Sequence, residues 1–179
     1  MEEIRVHGRG GQGSVTLAHL IAEAAYEEGK WAQAFPAFGV ERRGAPVEAF
    51  ARIGTERITD RSQVHHPTHV VVQDATLLEF VNVTEGLADD GVIVVNTPKE
   101  PEKVALDTDA TVLTVGATEI AMEHLGRPIM NTALLGAFAG ATDVLGRESI
   151  GSVISSTFEG EIGTMNVGAA DAAFAEVSG

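Results

Sequence analysis

The sequence predicts an α/β fold, a layered and largely parallel sheet with helices packed on it, in a single domain over residues 1–179 with a helical C-terminal part. Two observations carry this. Val70-Val71-Val72 and Val92-Ile93-Val94-Val95 are continuous apolar runs, as expected of strands buried on both faces. Around them, apolar residues recur at helical spacing, so strands alternate with helices.

Each element follows from its residues. Ile4-Arg5-Val6-His7 alternates apolar and polar, which predicts a first strand. A glycine loop follows, and Ser14 is placed to cap the next helix. Leu17, Leu20, Ile21, Ala24 and Ala25 form that helix's buried face, and Gly29 ends it. Residues 31–35 read as the second strand and 47–53 as the third, with Ile58 on a short link that extends or pairs with it. Pro36, Gly39, Gly44 and Pro46 make the segment between them a loop. After the Val70 strand, Leu77, Phe80, Val81 and Leu87 suggest a helical face. Val112-Leu113-Thr114-Val115 is the last strand, and a helix follows it to about residue 125. Beyond Pro128, Leu134, Leu135, Phe138, Ala141 and Leu145 fall on one helical face. Gly136, Ala137, Gly140 and Ala141 make that helix narrow enough for close packing. Residues 149–158 and 163–177 read as two more helices.

Composition removes whole classes of function. A chain of 179 residues with 44% hydrophobic residues buries a sizeable core without staples. Its 26 acidic and 12 basic residues give a net charge of −14, which repels phosphate backbones, so no nucleic-acid partner is expected. With no cysteine, the chain offers no thiol nucleophile and no thiolate for a zinc or iron–sulfur site. No apolar stretch is long enough to span a bilayer, so no membrane partner is expected. Met1-Glu2-Glu3-Ile4 is acidic where a leader would be basic, and a cytoplasmic location is the expectation. The only lysines are Lys30, Lys99 and Lys103, a surface suited either to a salt-rich cytoplasm or simply to solubility.

Two constellations stand out. Gly8, Gly10 and Gly13 satisfy the spacing of a dinucleotide loop between strand and helix. That fingerprint also needs an acid near the end of the second strand to hold a ribose, and Gln33-Ala34-Phe35-Pro36 supplies none. The loop, with Gly11 and Gln12 inside it, therefore either packs tightly or holds another anion or a partner chain. The second constellation is Glu41-Arg42-Arg43-Gly44, with Phe35 and Phe38 before it. Guanidiniums beside aromatics compose an interface or capture an anion; the alternative is pairing of the arginines with Glu41 or Glu48 and Phe rings in the core. His65, His66 and His69 lack a regular element to aim them and a nearby carboxylate, so no metal site is expected. Asn131 is a further candidate, read first as a helix cap. No nucleophile elbow, Walker loop or thiamine-type Gly-Asp-Gly is present, so no catalytic residue is assigned.

Gly8-Arg9-Gly10-Gly11-Gln12-Gly13, the run from Phe35 through Val47, and Asn131-Thr132-Ala133-Leu134-Leu135-Gly136 together resemble the gamma subunits of 2-oxoacid:ferredoxin oxidoreductases, most of all those of the pyruvate enzyme. The likeness spans most of the chain. It implies an α/β subunit, inactive alone, of an enzyme converting pyruvate, CoA and oxidised ferredoxin reversibly to acetyl-CoA, CO2 and reduced ferredoxin. It implies partner alpha, beta and delta subunits, with thiamine diphosphate, magnesium and iron–sulfur clusters on those partners and none on this chain. It also implies that Gly8, Gly10, Gly11, Gln12, Gly13, Glu41, Arg42, Arg43 and Gly44 face partner subunits or cofactor near CoA. The alternatives are an independent nucleotide-binding oxidoreductase and a ligand-free scaffold.

Overall fold

The structure is a computed structural model of residues 1–179 and describes all of them except Phe38, Val40, Glu41 and Gly179. Six strands form one mixed sheet in the order β2-β3-β1-β4-β5-β6. They are β1 (Glu2–Arg9), β2 (Trp31–Pro36), β3 (Pro46–Gly54), β4 (His69–Val72), β5 (Val92–Asn96) and β6 (Thr111–Val115). The pairs β1–β4, β4–β5 and β5–β6 are parallel. Strand β3 runs antiparallel to both β1 and β2, so the sheet is mostly rather than wholly parallel.

Five α-helices stand out among the described residues: α1 (Ser14–Glu27), α2 (Ala117–Leu125), α3 (Asn131–Ala141), α4 (Arg147–Thr157) and α5 (Gly160–Ser178). Their apolar faces and the side chains of Ile4, Val6, Ala51, Val71, Val94 and Val115 make the main core on one side of the sheet. Gly136 of α3 lies so close to the Ala170 carbonyl of α5 that a Cβ there would collide with it. The small-residue reading of that helix therefore holds, although α3 ends at Ala141 and Leu145 is buried from the following loop.

The other face is covered without α-helices. Val70, Val72, Ile93 and Val95 pack there against Leu78, Val81, Val83, Leu87, Val104 and Leu106. The β4-to-β5 and β5-to-β6 connections supply this cover, as right-handed crossovers running away from β1 must. The expected helix over Leu77, Phe80, Val81 and Leu87 is not formed: Ala75–Glu79 is a single 3₁₀ turn, and Phe80 beyond it is 73% exposed. The reason lies in β1. Arg5 is buried, and its guanidinium donates to the carbonyls of Val83 (3.1 Å), Glu85 (2.6 Å) and Val64 (3.4 Å). Carbonyls committed to a guanidinium are carbonyls not committed to a helix ladder. Arg52 does the same for the β3-to-β4 connection: it is 1% exposed, pairs with Glu3 at 2.7 Å and donates to the Ser62 carbonyl at 2.8 Å. Ile58 lies in that connection and in no strand. His69 belongs to β4, bonds Glu2 at 3.1 Å and meets Phe138 edge-on, while His65 and His66 are exposed before it.

Arg5→Met leaves three carbonyls unpaired and is expected to cost on the order of 3–5 kcal/mol of folding free energy. Arg5→Lys should recover little of it, because one ammonium cannot span the fork. Urea denaturation of the three chains checks this; a methionine variant within about 1 kcal/mol of wild type would refute it.

Candidate functional site

The carboxyl ends of β1 and β4 meet where the chain's crossovers diverge, the place where open α/β sheets carry their sites. The glycine loop leaves β1 there. Gly11 and Gly13 have positive φ, 95° and 80°. Gly13 is the N-cap of α1 through its backbone, so Ser14 is not the cap. The Ser14 hydroxyl instead donates to Gln73 Oε1 at 2.6 Å. At Gly8 a Cβ would collide with the side chains of Gln73 and Ser14, and at Gly10 with the Arg42 carbonyl.

The arginine turn closes over this loop. Gly10 N–H donates to the Ala45 carbonyl (2.9 Å), and Gly44 N–H to the Gly10 carbonyl (3.0 Å). Gly10 and Arg43 also form an isolated parallel bridge. The two constellations are thus one backbone-bonded unit, with Arg42 and Arg43 exposed. Of the expected residues here, Glu41 and Phe38 lie outside the described residues. Phe35 is half-buried on β2, its ring 5.3 Å from that of Phe50. Glu48, the other partner considered for the arginines, turns to His7.

Asp74, which sequence reasoning missed, braces the unit from the start of the 3₁₀ turn after β4. It accepts from Arg9 Nε (3.2 Å), Gln12 Nε2 (3.1 Å), and Thr76 N (3.0 Å) and Oγ1 (2.6 Å). Partial burial pushes its pKa up, but the Thr76 and Gln12 hydrogen bonds and the charge of Arg9 outweigh this and hold it below the usual carboxylate value. Gln12 closes the loop on itself, accepting from Arg9 N–H at 2.8 Å. Arg9 spans to Gly44 O (3.0 Å) and Thr76 Oγ1 (2.8 Å).

Asn131 is brought to the same place for a different reason from the one expected. Met130 is the N-cap of α3. The Asn131 side chain is buried and accepts from Gln73 Nε2 at 2.7 Å. Asn96, at the end of β5, donates to the Gln73 carbonyl at 2.9 Å. Gln73 thereby ties together the glycine loop, β5 and α3, and only its position after a buried strand hinted at this.

A cleft of about 630 Å³ opens beside the loop, lined by Gly11, Gly13, Glu48, Gln63, Leu77 and Val81 among others. His7 lies at its floor, 2% exposed. Arg5 Nε–H donates to His7 Nε2 at 3.0 Å, so Nδ1 carries the ring proton and faces Glu48 Oε1 at 3.4 Å. Burial and the adjacent Arg5 charge push the His7 pKa down to about 3. The cleft floor is a neutral imidazole, and among the described lining residues the charged group is Glu48. Among the described residues no cluster of three metal-ligating side chains forms. The backbone of residues 42–45 covers Gly10, while the cleft leaves Gly11, Gly13 and the start of α1 open.

Comparison with known proteins points one way. The family model for pyruvate ferredoxin/flavodoxin oxidoreductases matches residues 3–176. A pyruvate synthase subunit PorC of Methanosarcina barkeri is 62% identical over 150 residues, 84% of this chain and 82% of the relative. A common gamma subunit of the pyruvate/ketoisovalerate oxidoreductases of Pyrococcus abyssi is 53% identical over 97% of this chain and 96% of its own. A crystal structure of pyruvate oxidoreductase subunit PORC from Thermotoga maritima superposes with a TM-score of 0.87 at 41% identity, covering 98% of this chain and 96% of that one. A 2-oxoglutarate:ferredoxin oxidoreductase of Magnetococcus marinus shares the fold, at a TM-score of 0.80 and 20% identity, over 98% of this chain but only 31% of its own.

The His7 geometry predicts a pH dependence. The folded chain keeps His7 neutral down to about 3, whereas the unfolded histidine protonates near 6.5. Between those values the unfolded state binds the extra proton, so stability falls as pH falls, by up to about 1.4 kcal/mol per unit from this group. Urea midpoints from pH 7 to 4.5 should slope less in His7→Gln than in wild type; equal slopes would refute the assignment.

Proposed function

Because the chain belongs to the pyruvate ferredoxin/flavodoxin oxidoreductase family, we infer that it serves as the gamma-type subunit of a pyruvate:ferredoxin oxidoreductase complex, contributing structure rather than electron transfer. The reaction of that complex joins pyruvate, CoA and oxidised ferredoxin with acetyl-CoA, CO2 and reduced ferredoxin. With no cysteine, this chain has no thiolate to hold an iron–sulfur cluster. We assign the clusters, thiamine diphosphate and magnesium to partner alpha, beta and delta subunits, and the location of the complex to the cytoplasm, where ferredoxin and CoA are at hand. The 2-oxoacid pocket goes with the thiamine. A gamma subunit common to pyruvate and ketoisovalerate enzymes, as the Pyrococcus relative is named, supports a chain that does not itself choose the acid.

The observation that carries the site is the fusion of the glycine loop and the arginine turn into one hydrogen-bonded edge. Gly8, Gly10, Gly11, Gln12 and Gly13 shape it, and Arg42, Arg43 and Gly44 present it, with Glu41 next to them in sequence. We place this edge against the catalytic subunits, beside the path by which CoA reaches thiamine. Asn131 supports the edge from beneath through Gln73. The independent nucleotide-binding reading loses its support, because Gly8, Gly10 and Gly13, the three glycines of the dinucleotide spacing, are explained by close packing.

A tagged chain recovered from its own host should bring down iron-containing partners that reduce a viologen dye with pyruvate and CoA. A chain that comes down alone, yet binds a nucleotide, would overturn the reading. Arg42→Ala and Arg43→Ala should weaken assembly or raise the CoA requirement, by about tenfold together, while leaving the isolated chain folded. Normal assembly with normal CoA kinetics in both would remove these residues from the site.

A further inference from the structure

We propose that Phe80 is the anchor by which this edge docks on its catalytic partner, inserting its ring into an apolar pocket whose rim carries carboxylates opposite Arg42 and Arg43. The inference rests on the subunit reading above and adds to it the residue and the chemistry of contact.

Phe80 is 73% exposed, although the spacing of its neighbours marks it for a buried helical face. It stands between Leu77, which is 1% exposed, and Val81, and both of these line the cleft. Its turn is not loose. Asp74 caps the turn through Thr76 N–H, Phe80 N–H donates to the Leu77 carbonyl at 2.9 Å, and Arg9 reaches Thr76 Oγ1 at 2.8 Å. Arg9 also bonds Gly44 O, so the Phe80 turn is tied to the turn that bears Arg42 and Arg43. An aromatic ring held out on a preordered support loses little freedom on binding, and rings with adjacent arginines dominate interface energies.

Charge narrows the partner. Asp74 is occupied by Arg9, Glu48 faces His7 inside the cleft, and Glu79, exposed next to Phe80, confines the attraction for carboxylates to the Arg42–Arg43 side of the edge. Arg42 and Arg43 are exposed, on a chain whose net charge is −14. A partner with carboxylates around an apolar pocket is attracted here and repelled by the acidic remainder of the surface. In the Magnetococcus structure the same fold makes up 31% of a longer chain.

The test uses the complex. Partner subunits are co-expressed with the full chain, and the dissociation constant of the chain from them is measured at low and high salt. Phe80→Ala should weaken binding about thirtyfold at either salt, and Phe80→Tyr should restore most of it. Arg43→Glu should weaken it mainly at low salt. Tyr26→Ala, which removes an equally exposed ring (76%) at the end of α1, should change nothing. A Phe80→Ala chain that binds like wild type overturns the anchor while leaving the subunit reading intact, and so does a Tyr26→Ala chain that loses as much. A wild-type chain that binds none of these partners overturns both.

Discussion

The structure depends on two buried guanidiniums. Arg5 of β1 and Arg52 of β3 sit on the sheet face that carries no α-helix, and each is satisfied mainly by backbone carbonyls of the connections above it. A buried cation is tolerated only when its donors are taken up. A connection without regular structure has carbonyls to give, and would otherwise leave them unpaired beneath solvent. The two needs meet. Glu3 completes Arg52 directly, whereas Arg5 reaches Glu48 only through His7, which is why that imidazole must stay neutral.

This arrangement sets the shape of the proposed docking edge. With the β4-to-β5 crossover held flat on the sheet, its first turn projects Thr76 and Asp74 toward the end of β1 rather than starting a helix there. The glycine loop is met from one side by Asp74 and from the other by residues 42–45. In a dinucleotide fold the second parallel strand lies next to the first, and its end holds the ribose. Here antiparallel β3 occupies that place and β2 lies one strand further out. An acid at the end of β2 would therefore not flank the glycine loop, and the missing carboxylate noted in the sequence follows from topology.

The strands were legible because Val and Ile runs admit few other states, and the helices at both ends because their apolar faces are long. What was not legible came from contacts distant in sequence. Ser14 and Asn131 look like caps locally, but Gln73 takes both side chains into one buried network. Leu77, Phe80, Val81 and Leu87 have helical spacing, but Arg5, more than seventy residues away, claims the carbonyls a helix would need. Alternation along β1 shows that Arg5 and His7 face away from Ile4 and Val6; it does not show that this face is covered. The glycine-loop and arginine-turn residues were found by type and spacing, while Asp74 and Gln73, single polar residues after a buried strand, carried no motif.

The surface charge gives the edge its importance. A net charge of −14 opposes association with copies of the same chain and with most acidic proteins, so any partner must be recognised through a local feature strong enough to overcome the general field. Such a feature has to be rigid, since each side chain ordered on binding subtracts from affinity. The hydrogen bonds among Arg9, Gln12, Gly44, Asp74 and Thr76 provide that rigidity before any partner arrives. The glycines belong to the same logic: by letting two backbones touch, Gly10 makes the loop and the turn a single body, and what the motif holds is therefore another part of its own chain.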